Sequence, residues 1–91
     1  MSDLRLYWAR NDGMTGHVFL TPLDRSALER EMILQGMSVP ELRSGMHVSV
    51  TEIDAALAAA RPEPISVDPK LWSDWLRFLE GASTNGGLLV R

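Results

Sequence analysis

The chain has 91 residues, 45% of them hydrophobic and 23% charged, with a formal net charge of −3 and no cysteine. That length fits a single small globular domain over residues 1–91 with one modest core, and the composition is too apolar for a disordered chain. The lack of cysteine excludes a disulfide framework, a thiolate metal site and a cysteine nucleophile, and the acidic balance supplies no basic field for nucleic acid or an anionic membrane surface.

Leu4, Leu6 and Trp8 alternate with Arg5, Tyr7 and Ala9, the period of a strand with one buried face, which predicts a strand over residues 3–10. Asn11 to Gly16 concentrates turn formers, and His17 to Leu20 then returns as the second strand of a hairpin. Charges interleave through the first ten residues, so no signal-peptide apolar region is visible, and nowhere do about eighteen apolar residues run together. The expectation is a soluble, cytoplasmic protein.

Thr21-Pro22-Leu23-Asp24 switches the period: Thr caps, Pro suits the first helical position and Asp favours the positive helix end. A helix from Pro22 to Gln35 is predicted, with Gly36 near its end. At about 100° per residue, Leu23, Ala27, Leu34 and Met37 share one face with Ile33 at its edge, whereas Leu28 and Met32 form a separate narrow stripe between Gln35 and Arg25. Ser38-Val39-Pro40-Glu41 fits a capping box for a short helical turn through Arg43, ended by Gly45.

A second box, Ser49 to Glu52, is flanked by Val48 and Ile53 at the positions of a hydrophobic staple and opens an alanine-rich helix with Ile53, Ala56, Leu57 and Ala60 on one face. Arg61-Pro62-Glu63-Pro64 ends that helix and predicts a stiff, extended crossing over the surface. Asp68 and Pro69 then start a third helix, with Val67 and Trp72 as another staple-like pair. Its sector of about 160° carries Leu71, Trp72, Trp75, Leu76, Phe78, Leu79 and Ala82, with charged residues on the rest. Leu71, Trp75, Phe78 and Leu79 are expected in the core and Trp72 and Leu76 at its rim.

Asn85-Gly86-Gly87 offers a left-handed helix terminus, and Leu88 to Val90 a buried strand that should pair with the first. The expected class is α+β: a three-stranded sheet, made of the N-terminal hairpin and the C-terminal strand, packed against two or three helices.

No motif carries catalysis. His17 lies on a strand and His47 in a loop, with no carboxylate motif beside either, and Glu29 with Glu31 or Glu52 with Asp54 are two residues apart and read as solvated charges. The glycine turns are too short for a phosphate loop, and Lys70 is the only lysine. No catalytic residue, cofactor or metal is therefore expected. Residues 38–60 resemble a helix-turn-helix in having a short helix, a glycine in the turn and a serine-capped second helix. Here the turn from Gly45 to Ser49 is longer than that motif usually has, and Glu52 and Asp54 at the start of the second helix would repel phosphate.

What remains is a non-catalytic protein–protein interaction module, an adaptor, accessory subunit or small inhibitor of the immunity-protein kind, self-associating or bound to another protein, without nucleic acid or membrane partners. Leu28 and Met32, with Trp72 and Leu76, are the apolar residues in excess of a small core and so the candidate partner interface. A covering turn from Val39 to Leu42 is the alternative for the first pair. A degenerate helix-turn-helix regulator and a small enzyme whose site has no sequence signature are the alternative functions.

Overall fold

In a computed structural model, which describes residues 3–10, 16–37 and 42–91, the period-two segment forms β1 (Leu4–Trp8) and its return forms β2 (His17–Leu20). They pair antiparallel, with Leu4 opposite Leu20 and Tyr7 opposite His17. The turn at Asn11 to Thr15 lies outside the described residues. Thr21 caps α1 (Pro22–Leu34) by accepting the Asp24 amide, and Gly36, at φ +73°, follows its end. Ser38 to Glu41, the first capping box, also lies outside the described residues. Leu42 and Arg43 are not helical, and a turn at Ser44 and Gly45 leads into β3 (His47–Val48).

The Ser49 hydroxyl accepts the Glu52 amide and caps α2 (Val50–Ala59), while Val48 and Ile53 are both buried as the staple requires. The Asp68 carboxylate accepts the Leu71 amide and caps α3 (Pro69–Thr84), which leads into β4 (Leu88–Val90). β4 pairs antiparallel with β1, as expected, and also with β3. The sheet is therefore four-stranded, in the order β2-β1-β4-β3, not three-stranded. The added strand is two residues long, too short to show any periodicity, and it moves His47 from the expected loop onto a sheet edge.

Even-numbered residues Leu4, Leu6, Leu20, Val48, Leu88 and Val90 bury the inner face of the sheet under the helices. α3 supplies the largest share of the core: Trp72, Trp75, Phe78, Leu79 and Ala82 are buried and Leu71 and Leu76 partly so. The Trp75 and Phe78 rings stack at 5.9 Å, and Phe78 stacks in turn on Trp8 at 6.2 Å. Trp8 donates its indole N–H to the Phe78 carbonyl at 3.0 Å, so β1 is bonded directly to α3. Gly16 and Gly81 both close on that indole, and a Cβ at either position would collide with the ring. This explains Gly81 in the last turn of α3, since a glycine within a helix ordinarily costs about 1 kcal/mol relative to alanine.

Trp72 is not at the rim. It is fully buried, with its N–H donated to the Arg61 carbonyl at 2.8 Å, because the connector passes over this end of α3. Among the described residues no helix is long and apolar enough to cross a membrane. Trp75 is also buried and donates to the Met32 sulfur at 3.3 Å, so Trp75→Ala should cost about 3–5 kcal/mol in denaturant unfolding; a loss below about 1 kcal/mol would refute this placement.

Candidate protein interface

The orientation of α1 is the reverse of the expected one. Leu28 and Met32, the stripe expected to be surplus, are fully buried, whereas Leu23, Ile33 and Leu34 are 80%, 75% and 48% exposed. Of the four residues expected to meet a partner, Leu28, Met32 and Trp72 have no surface to offer, and Leu76 is half-buried against the same core. Leu42 is buried in this core as well, while the rest of the expected covering turn, Val39 to Glu41, lies outside the described residues.

Glu31 is the reason for the reversal. Its carboxylate is fully buried between α1 and the connector that follows α2. One oxygen accepts the Ile65 amide and the Gln35 side chain, each at 2.7 Å. The other accepts the Ser66 amide at 2.7 Å, the Ser66 hydroxyl at 3.0 Å and the Val67 amide at 3.2 Å. Gln35 extends the contact by accepting the Arg61 amide at 2.6 Å. Burial alone would raise the Glu31 pKa, but the Ile65 amide, the Gln35 side chain and the two Ser66 donors outweigh it and hold the carboxyl down at about 2. Glu31 is thus not the solvated charge its sequence context suggests. Glu29, beside it, is one, paired at 2.8 Å with Arg25.

With Leu28, Glu31 and Met32 turned inward, the opposite face of α1 presents Leu23, Ala27, Arg30 and Leu34 at spacings of three and four residues. The connector runs alongside, so that Leu23, Ser26, Ala27, Arg30 and Ser66 line a shallow groove. Ile65, 63% exposed, precedes Ser66 in the connector. Among the described residues, four of the five exposed large apolar residues therefore belong to α1 and to the connector that follows α2; the fifth, Phe19, is on the outer face of the sheet. On a helical wheel Leu23, Ala27 and Leu34, with Ile33 at the edge, form the broader apolar face of α1, which by width alone reads as the buried one.

The groups that could serve chemistry are not brought together. His17 lies on β2 against Tyr7 and Phe19, whereas His47, on β3 at the other edge of the sheet, has a ring nitrogen 3.1 Å from the Gly86 carbonyl. Glu52 and Asp54 are exposed on α2, where Asp54 accepts the Ser83 hydroxyl. Among the described residues no group of three or more His, Asp or Glu side chains could hold a metal ion. In the segment resembling a helix-turn-helix, β3 occupies the place of the turn and pairs with β4.

Two predictions test the reversed helix. Leu28→Glu with Met32→Glu places two unpaired carboxylates in the core and should abolish the folded state by circular dichroism, where a surface stripe would tolerate it. The folded-state pKa of Glu31, about 2, lies below its ordinary 4.5, so its stabilising contribution is complete above pH 4.5 and lost as pH falls from there toward 2. Glu31→Gln should lower stability at neutral pH by about 2–4 kcal/mol, since the amide presents donors to donors. In urea unfolding as a function of pH it should also flatten the acid limb between pH 4.5 and 2. Compared with protein-family models, with curated proteins and with solved structures, the chain finds no match.

Proposed function

We propose that this protein is a non-catalytic protein–protein interaction module that self-associates through the outer face of α1. The observation that carries the reading is the exposure of Leu23, Ile33 and Leu34 on one helix, with a fourth exposed apolar residue, Ile65, on the connector bonded to that helix through Glu31. Isolated exposed apolar residues are ordinary, but several grouped on one element mark an interaction surface. An adaptor, an accessory subunit or a small inhibitor would each use such a face.

A second copy fits it as occupant because the pattern is self-complementary. When two α1 helices pack antiparallel about a two-fold axis with Leu23 opposite Leu34 of the second copy, Ala27 falls opposite Arg30. Each apolar end then meets an apolar end, and the Arg30 stem lies over a small residue with its charge directed to water. A helix of 13 residues spans about 20 Å, so the contact is at the small end of specific interfaces and association should depend on concentration.

Light scattering on the purified protein across a wide concentration range should show a monomer–dimer equilibrium. Leu23→Glu with Leu34→Glu, both at exposed positions, should give a folded monomer at every concentration. A wild type that stays monomeric throughout would refute self-association, and a dimer that persists in the variant would remove α1 from the interface.

A further inference from the structure

The outer face of the sheet carries a second, chemically different feature. Arg5 on β1 and Arg91 just after β4 are directly opposite: the Arg5 amide donates to the Arg91 carbonyl at 3.3 Å and the Arg91 amide to the Arg5 carbonyl at 2.7 Å. In such a hydrogen-bonded pair the Cα atoms are about 5.5 Å apart, and both side chains leave the sheet on the same side. Like charges placed directly opposite are destabilising. Among the described residues neither arginine forms an ion pair.

Each guanidinium is instead backed by an aromatic ring. Arg5 lies 5.9 Å from the centroid of Phe19, and Arg91 lies 5.5 Å from that of Tyr7. The rings support one another, Phe19 against Tyr7 edge to face at 6.5 Å and His17 tilted against both. Ring faces occupied by guanidinium groups are poor platforms for a nucleobase. What the arrangement offers outward is two forks of N–H donors, backed by rings and still charged. Arg5, Phe19 and Arg91 line a cleft with Ser44, which adds a hydroxyl, and with Asp3.

We propose that this corner of the sheet is a binding site for a small phosphate monoester, gripped by Arg5 and Arg91 across β1 and β4 with Ser44 as an additional donor. A phosphate dianion matches both charges of the pair, whereas a carboxylate matches only one. Asp3 opposes the ligand at the rim of the cleft and sets an upper limit on its affinity. The site is independent of the α1 face and stands or falls separately from self-association.

The test is an NMR titration of ¹⁵N-labelled protein with sodium phosphate at low ionic strength and near-neutral pH, beside parallel titrations with glycerol phosphate, acetate and a phosphoserine peptide. Saturable shifts are expected at the Arg5 and Arg91 Nε–H signals and the Ser44 amide, with phosphate favoured over acetate by about tenfold and with affinity falling as salt is added. Arg5→Gln and Arg91→Gln, both at surface positions, should each weaken binding by about tenfold or more while leaving the melting temperature unchanged or raised. Asp3→Asn should tighten it. Shifts that rise linearly without saturation, that survive either arginine substitution, or that are matched by acetate would overturn the site. A phosphoserine peptide binding more tightly than glycerol phosphate would overturn the small-molecule assignment.

Discussion

A buried carboxylate and the backbone donors that converge on it form the contact on which the rest of this structure depends. A carboxylate moved out of water without partners is among the most costly groups a fold can hold, and backbone N–H groups left unpaired in the interior are costly as well. Glu31 and the amides of Ile65, Ser66 and Val67 satisfy each other's requirement. Three successive N–H groups directed at one anion make a small concave nest of the kind that binds phosphate in other settings, here filled by the protein's own side chain. Because Glu31 must face inward, Leu28 and Met32 on the same side of α1 are carried into the core, and Leu23 and Leu34 are carried out of it. The helix orientation, the path of the connector and the exposed apolar face are thus one decision made by one residue.

A single layer of helices on a single sheet leaves the second sheet face open, and the two exposed regions differ in character. The outer sheet face collects Arg5 and Arg91 with Tyr7, His17 and Phe19, while exposed carboxylates such as Glu52, Asp54, Asp74 and Glu80 lie on α2 and α3. The net charge of −3 conceals this separation. An overall acidity that disfavours polyanions at long range is compatible with a local cationic corner, since charges more than about 10 Å apart are largely screened at ordinary ionic strength.

What was legible in the sequence was local. The caps at Thr21, Ser49 and Asp68 are each written within four residues, and all three form as expected. The wide apolar sector of α3 leaves one choice of inward face. α1 has two apolar stripes, and the choice between them rests on residues 65–67, more than thirty positions away along the chain. A wheel that assigns every glutamate to solvent must choose wrongly there. Trp72 lies at the edge of its helical sector, and the partner that buries it is a main-chain carbonyl at Arg61 that no side-chain pattern announces. β3 is too short to have a period, and the pairing of Arg5 with Arg91 joins residues far apart in the sequence, so it exists only once strand order is known.

The three tryptophans divide the molecule's junctions among themselves. Trp8 donates its indole N–H across the boundary between sheet and α3, Trp75 across the boundary between α3 and α1, and Trp72 to the main chain of the connector. Their acceptors differ too: a helix carbonyl at Phe78, a thioether sulfur at Met32 and a loop carbonyl at Arg61. Indole N–H resonances are sensitive to the strength and nature of the acceptor, so three separate signals come with three separate structural meanings. Loosening of the hairpin, of α1 or of the connector would each leave its own mark in a spectrum of three peaks, without any label introduced from outside.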